Sequence, residues 1–252
     1  MLVLFDLDGT LLKTDGIDWR LYLQAFADVY DLEVRLEECR ACRRITDRGV
    51  AEEILEQRLG RPIVAEDVRP LHERFVALLH GALPAASDTL QVPGAAAILD
   101  RLRGDGHTVA IATGGWEASA RLKLARAGIG LDGIALTACD ECPDRESIMT
   151  HAMERAGGVA RHGRVVYVGD AAWDVAATRA LALPFVGVDY ADTRNLERLG
   201  IETVLRDFSD AAAFLRALDA ARPPTTPTPS RLPAAGARRR ASGPRAPSRR
   251  GS

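Results

Sequence analysis

The chain has 252 residues, 47% of them hydrophobic, enough to bury a substantial core in one sizeable domain or in one domain carrying an insertion. No run of about 18 apolar residues is present to span a bilayer, and Met1 leads straight into a strand-like segment rather than a signal peptide, so a cytoplasmic location is expected. The net charge of −2 hides an asymmetry: residues 222–252 carry eight Arg and no acid, which leaves 25 basic against 35 acidic residues in the body, a poor platform for nucleic acid.

The first element is an apolar run, Leu2-Val3-Leu4-Phe5, that ends in Asp6-Leu7-Asp8-Gly9-Thr10. Such a run predicts a buried parallel strand, and ligands of open α/β sheets collect at the carboxyl ends of these strands. Asp6 and Asp8 thus read as a nucleophile and a proton shuttle on one loop, set against the plainer reading of an Asp-Gly turn. From about Asp15 to Ser87 the pattern changes to helical periods at Trp19–Tyr30, Asp47–Leu59 and Glu66–His80, with no convincing strand. This predicts an all-helical insertion. Pro93-Gly94 then opens a helix to about Arg103, which Gly104 and Gly106 stop.

Strands follow at Thr108–Ala112, Gly133–Thr137, Val165–Val168 and Phe185–Val188, with a weaker one near Thr203–Leu205. Helices are predicted at Trp116–Ala127, Arg145–Ala156, Trp173–Ala180 and Asp210–Ala221. The alternation predicts an α/β fold with a doubly wound parallel sheet. Two of these strands end in chemistry. The first delivers Thr113-Gly114-Gly115, a hydroxyl and Gly N–H groups that can hold an anionic oxygen at a helix start, although the same residues make an ordinary strand-to-helix turn. The other delivers Gly169-Asp170 and, four residues on, Asp174, two carboxylates on one helix face where an acid can also serve as a cap. Four aspartates at two strand ends around a phosphate-ready turn suit Mg²⁺, a hard cation that takes one or two carboxylates plus substrate phosphate and water.

Asp6-Leu7-Asp8-Gly9-Thr10, Thr113, and Gly169-Asp170 with Asp174 resemble motifs I, II and IV of the haloacid dehalogenase superfamily, over residues 1 to about 220. Within it the chain is most similar to the phosphoglycolate phosphatase-like and β-phosphoglucomutase-like members. The resemblance implies a Rossmann-like core over residues 1–14 and 88–221 and an all-helical cap of the C1 type over 15–87. It further implies a Mg²⁺-dependent phosphomonoester hydrolase acting on a small phosphorylated metabolite. In that scheme Asp6 attacks phosphorus and Asp8 acts first as acid and then as base. Asp6, the Asp8 main-chain carbonyl and Asp170 ligate the metal, while Asp174 acts through water or positions the site. Thr113 and a cation stabilise the phosphoryl oxygens, with Gly114 beside them.

Most relatives offer a lysine for that cation before the motif IV strand, yet this chain has none between Thr137 and Val165. Arg145, at a helix start, is the expected substitute, with Arg161 and Arg164 weaker contenders; a guanidinium is a fork rather than a point charge. Asp8 favours phosphoryl transfer over C–halogen cleavage. The insertion's lack of lysine disfavours a Schiff-base phosphonate hydrolase. A phosphomutase shares the same core residues, and a non-catalytic module binding a phosphorylated metabolite is the remaining alternative.

Substrate choice is expected in the cap, where Arg43-Arg44-Ile45-Thr46-Asp47 resembles the specificity loop of related caps. Arg43 or Arg44 there would bind a carboxylate or second phosphate, unless both are simply solvated. Trp19 and Trp116 are expected to pack rather than to carry substrate, and the five histidines show no ligand spacing. The pairs Cys39-x-x-Cys42 and Cys139-x-x-Cys142 lie 96 residues apart without a Gly-containing knuckle, which favours reduced thiols over a zinc site or disulfide. Residues 222–252, with seven of the 13 prolines, are expected to be disordered, and Arg238-Arg239-Arg240 before Ser242 to be a weak anchor or basic recognition site at most. Oligomeric state has no signature in the sequence.

Overall fold

The computed structural model describes residues 1–85 and 87–225. Leu2–Phe5 forms strand β1, and helices α1 (Asp15–Tyr30), α2 (Leu36–Arg40), α3 (Asp47–Leu59) and α4 (Ala65–Ala82) follow it before the sheet resumes. Helix α5 (Ala95–Gly104) leads into β2 (Thr108–Ala112), then α6 (Glu117–Ala127), β3 (Ala135–Thr137), α7 (Arg145–Arg155) and α8 (Val159–His162). The last third runs β4 (Val165–Gly169), α9 (Ala172–Ala180), β5 (Phe185–Val188), α10 (Asn195–Arg198), β6 (Val204–Leu205) and α11 (Ala211–Ala220). Helices α2, α8 and α10 escaped the periodicity because four or five residues do not complete two turns. Strand β3 is shorter than its apolar run because Gly133 takes φ +71° in the preceding turn.

All six strands pair in parallel in the order β3-β2-β1-β4-β5-β6. The chain winds outward from β1 through β2 and β3, then returns to add β4 on β1's other side. The carboxyl ends of β1 and β4 therefore flank the switch point, the crevice where doubly wound sheets bind ligands. Both faces are covered, as a parallel sheet requires. Alternation at period two sends Leu2, Leu4, Ala110, Val165 and Tyr167 into one apolar cluster with α7 and α9 residues such as Ile148, Met149 and Val175. Val3, Phe5, Val109, Ile111, Val166 and Val168 face the other way, onto Leu99 and Leu102 of α5, Leu124 of α6, and Phe214 and Leu218 of α11.

The four helices after β1 form the cap, and their apolar interior is continuous with one sheet face. Tyr22 of α1 meets Phe26 and, on α4, Phe75 edge-on, and Trp116 from the loop after β2 packs tilted against Tyr22 and Phe75. The seam between cap and core is polar. Thr46 caps α3 by accepting from the Gly49 N–H at 3.0 Å, and its hydroxyl donates to the Pro143 carbonyl at 2.7 Å. The Asp47 N–H donates to the Gly114 carbonyl at 2.8 Å. At the other end of the fold, Arg222 departs from the expected disordered tail: its carbonyl accepts the Phe185 N–H at 3.1 Å, which ties it to β5. From residue 226 on, that expectation, including Arg238-Arg239-Arg240 and Ser242, falls outside the described residues.

Candidate active site

Strand β1 hands its last N–H-paired residue, Asp6, into the switch point, where the Asp6 N–H donates to the Val168 carbonyl at 2.9 Å. Gly9 turns the following loop at φ +86°, and a Cβ there would lie 2.2 Å from Asp170 Oδ2. Only glycine both adopts this backbone and lets the β4 loop approach so closely. The neighbouring Thr10 is buried and donates its hydroxyl to Asp170 Oδ1 at 3.2 Å. Asp6, Asp170 and Asp174 thereby bring one oxygen each within 4.8 Å of one another. Of the two β4-end acids, Asp174 is the one that caps: its Oδ2 accepts the Asp170 and Ala171 N–H groups at 3.2 and 3.1 Å at the start of α9.

Arg145, the first residue of α7, reaches this cluster. Its Nη1 is 2.8 Å from Asp174 Oδ1 and 3.2 Å from Asp6 Oδ1, and its Nε donates to the Ile45 carbonyl of the cap at 3.2 Å. The guanidinium also lies 5.6 Å from the centre of the Trp173 ring. Its packing against Gly114 is tight enough that a Cβ on that glycine would be 2.8 Å from Nη2. Arg161 and Arg164 play no part here; Arg164 binds the carbonyls of Leu218, Asp219 and Ala221 at the far end of the sheet.

Charge is the unsolved problem of the cluster. Burial pushes the Asp6 carboxyl up to about 7, Arg145 opposes it, and Asp174 and Asp8 add to the rise. Asp170 is also raised well above the usual carboxylate range, by burial and then by its neighbours Asp174 and Asp6. Asp6 Oδ1 is buried without a hydrogen-bond partner, because Arg145 approaches it without the required alignment. Three converging carboxylates, one of which has an unpartnered buried oxygen, form a site able to coordinate a divalent cation.

Thr113 is buried at the end of β2 and accepts the Gly115 N–H at 3.1 Å, so part of the expected anion-binding turn is closed on itself. The Thr113 hydroxyl and the Gly114 N–H donate to no other group among the described residues. Both residues line a cavity of about 580 Å³ that extends from Asp6 and Asp170 up to Trp19 and Arg40 of the cap.

One expectation is corrected. Arg43 and Arg44 do not line this cavity. Arg44 is drawn into ion pairs with Glu52 at 2.6 Å and Glu53 at 3.1 Å, and the Arg43 side chain is 88% exposed with Glu53 3.8 Å away. Both carboxylates sit in the second turn of α3 and hold the Arg44 side chain against that helix. The cap arginine that does line the cavity is Arg40, at the end of α2. Asp8, expected to ligate the metal through its main-chain carbonyl, keeps its carboxylate outside the cluster, which leaves that expectation untouched. That carboxylate instead accepts from Lys123 Nζ at 2.7 and 2.6 Å and from the Thr14 hydroxyl.

Lys123, Asp18 and Asp47 are the residues that sequence reasoning missed. Lys123 is fully buried on α6, and the same ammonium also binds Asp18 of α1. The available signal was a lysine in the apolar stripe Ala120-Leu124-Ala127, in a chain with only one other lysine. Asp47 lines the cavity at the head of α3 and accepts the Trp116 N–H at 3.1 Å, its carboxyl pushed up to about 7 by burial. Trp19 lines the cavity while Trp116 is buried against His72, the two rings stacked 4.7 Å apart. The four cysteines are free and buried, and none belongs to a metal-ligating group among the described residues. Among those residues, no helix is long and apolar enough to cross a membrane.

With this geometry in view, residues 1–181 match the haloacid dehalogenase-like hydrolase family, and the chain belongs to it. It is 30% identical over 219 residues to a phosphoglycolate phosphatase of Agrobacterium fabrum, covering 82% of this chain and 89% of the relative. It is 28% identical over 227 residues to the probable phosphatase IndB of Dickeya dadantii, covering 86% and 94%. Among solved structures, CbbY from Rhodobacter sphaeroides in complex with phosphate shares the fold at TM-score 0.66 and 23% identity, over 86% of this chain and 98% of that one.

Proposed function

We propose that this haloacid dehalogenase-like hydrolase is a phosphatase that releases inorganic phosphate from a small phosphorylated metabolite by way of an aspartyl-phosphate on Asp6. The observation that carries the reading is the convergence of Asp6, Asp170 and Asp174 within 4.8 Å, with Arg145 beside Asp6, at the floor of a cap-covered cavity. The residues present fit Mg²⁺: Asp6 and Asp170 would hold it directly and Asp174 from behind, and when bound it would supply positive charge against the phosphoryl oxygens.

In the first half-reaction an Asp6 oxygen forms a bond to phosphorus as the bond from phosphorus to the ester oxygen breaks, and Asp8 gives its proton to the departing alkoxide. In the second, water attacks the same phosphorus, Asp8 takes the proton, and the Asp6–phosphorus bond breaks to release phosphate. Arg145, the Thr113 hydroxyl and the Gly114 N–H are the donors for the phosphoryl oxygens, poised before reaction rather than recruited by it. Cavity size supports a small substrate, and the curated relatives named as phosphoglycolate phosphatases make 2-phosphoglycolate the first compound to try. Four buried free thiols suit a reducing, cytoplasmic setting.

The test is phosphate release from a panel of 2-phosphoglycolate, sugar phosphates and nucleotides, with and without Mg²⁺, beside an Asp6→Asn variant. Metal-dependent release by the wild type, abolished by chelation and by Asp6→Asn, is the expected result. Wild-type turnover by Asp6→Asn would sink the reading, and isomer conversion without free phosphate would replace it with the phosphomutase.

A further inference from the structure

Lys123 is a costly residue where it stands. An ammonium taken fully out of water gives up its hydration, and charges and hydrogen bonds must replace it; here the side chain sits in the apolar face of α6 between Ala120, Leu124 and Ala127. A leucine or methionine would fill that stripe without the cost. What the lysine does instead is span three elements: Nζ donates to Asp8 Oδ2 at 2.6 Å and Oδ1 at 2.7 Å on the β1 loop, and to Asp18 on the cap helix α1.

Thr14 points the same way. As the N-cap of α1 its hydroxyl would ordinarily accept from a helix N–H, yet it makes no such bond and donates to Asp8 Oδ1. Asp8 is therefore gripped on both oxygens, by one donor from the core and one from the root of the cap. Asp18 has a second oxygen, Oδ1, that is buried without a partner, so its hold on the fold at this point is the shared ammonium.

We propose that Lys123 is the positioning residue for Asp8, and that Asp18, by sharing the Lys123 ammonium, makes the position of Asp8 depend on the seating of the cap. The inference rests on the reading of Asp8 as the group that protonates the leaving alcohol. A merely structural ion pair predicts something different, because its loss would disturb every substrate alike.

The experiment compares kcat/KM, which reports the steps through departure of the leaving group, for an alkyl phosphate turned over by the wild type and for 2,4-dinitrophenyl phosphate, whose phenolate leaves without a proton. Lys123→Met should lower kcat/KM for the alkyl ester by about 100-fold, the scale of one proton-transfer catalyst, and for the dinitrophenyl ester by about threefold or less. Asp18→Asn should show the same selectivity at smaller amplitude, and should add nothing to it in the Lys123→Met background. Equal losses on both esters would overturn the role of Lys123. Selectivity in Lys123→Met with none in Asp18→Asn, or independent multiplication in the double variant, would overturn the coupling to the cap. Should Lys123→Met fail to give a cooperative melt, Asp18→Asn decides alone, because it leaves the Lys123–Asp8 pair intact. A wild type that hydrolyses neither ester would instead refute the phosphatase reading beneath the inference.

Discussion

Gly9→Ala is the smallest change that tests the architecture of the site. At φ +86° an alanine is strained by roughly 1–3 kcal/mol, and its methyl would start 2.2 Å from Asp170 Oδ2, 2.5 Å from the carboxyl carbon and 2.8 Å from Oδ1. Ordinary contact needs about 3.5 Å, so the Asp170 carboxylate must retreat by about 1 Å or more. That movement breaks the 3.2 Å bond from Thr10 and opens the cluster with Asp6 and Asp174. A displacement of about 1 Å in a reacting constellation costs on the order of 100-fold in rate. Urea unfolding of the variant should thus lose roughly 1–3 kcal/mol, calorimetric titration with Mg²⁺ should weaken by tenfold or more, and phosphate release should fall about 100-fold. A variant that unfolds as the wild type does and binds Mg²⁺ equally would show that Asp170 does not depend on the Gly9 turn, and the site as described would be wrong.

Arg145→Ala should lower kcat by about 100- to 1,000-fold, the cost of one charged donor at a developing charge; Arg145→Lys should recover part of the rate but not all, because an ammonium cannot serve Asp6, Asp174 and the Ile45 carbonyl as one fork does. Full recovery in steady-state assays would refute the fork. Arg44→Ala should cost about 1–2 kcal/mol in chemical unfolding by leaving Glu53 short of a partner and should leave KM for the best substrate within about twofold, since the side chain faces α3; a large rise in KM would restore it to the substrate site. Asp47 gives a pH signature. Its folded carboxyl is raised from 3.8 to about 7, so the stability it contributes is complete below about pH 4 and is lost as pH climbs through about 7. Asp47→Asn keeps an acceptor for the Trp116 N–H, so it should match the wild type near pH 4 and exceed it by on the order of 2–4 kcal/mol at pH 8; a stability difference that is flat across that range would refute the assignment.

The fold was legible because the chain states the same answer at several levels. Each strand is a short apolar run with helical periods on either side, and burying both faces of a parallel sheet needs that pattern. The acids were legible for the same reason: Asp6 and Asp170 stand where a strand must stop and Asp174 follows in the first turn of α9, so the backbone puts them in one crevice. What escaped lies in contacts whose partners are far apart in the chain and carry no local pattern. Lys123 and Asp8 are 115 residues apart, and Lys123 and Asp18 are 105.

The error at Arg44 has the opposite origin. Arginines in a cap loop next to a cavity offer themselves to a ligand or to solvent, but the helix that follows the loop has a prior claim on them. Glu52 and Glu53 lie eight and nine residues on, and α3 folds them back onto Arg44 before any substrate arrives. Two cations in this chain were thus misjudged in opposite directions, one thought free and found bound, the other passed over and found at the centre. In each case the deciding quantity was the distribution of carboxylates around it. A chain whose body carries 35 acids against 25 bases leaves few of its cations uncommitted, so a basic residue is informative through the acids that hold it: Arg145 is shared between Asp6 and Asp174 where it lines the cavity, whereas Arg44 is taken up by Glu52 and Glu53 outside it.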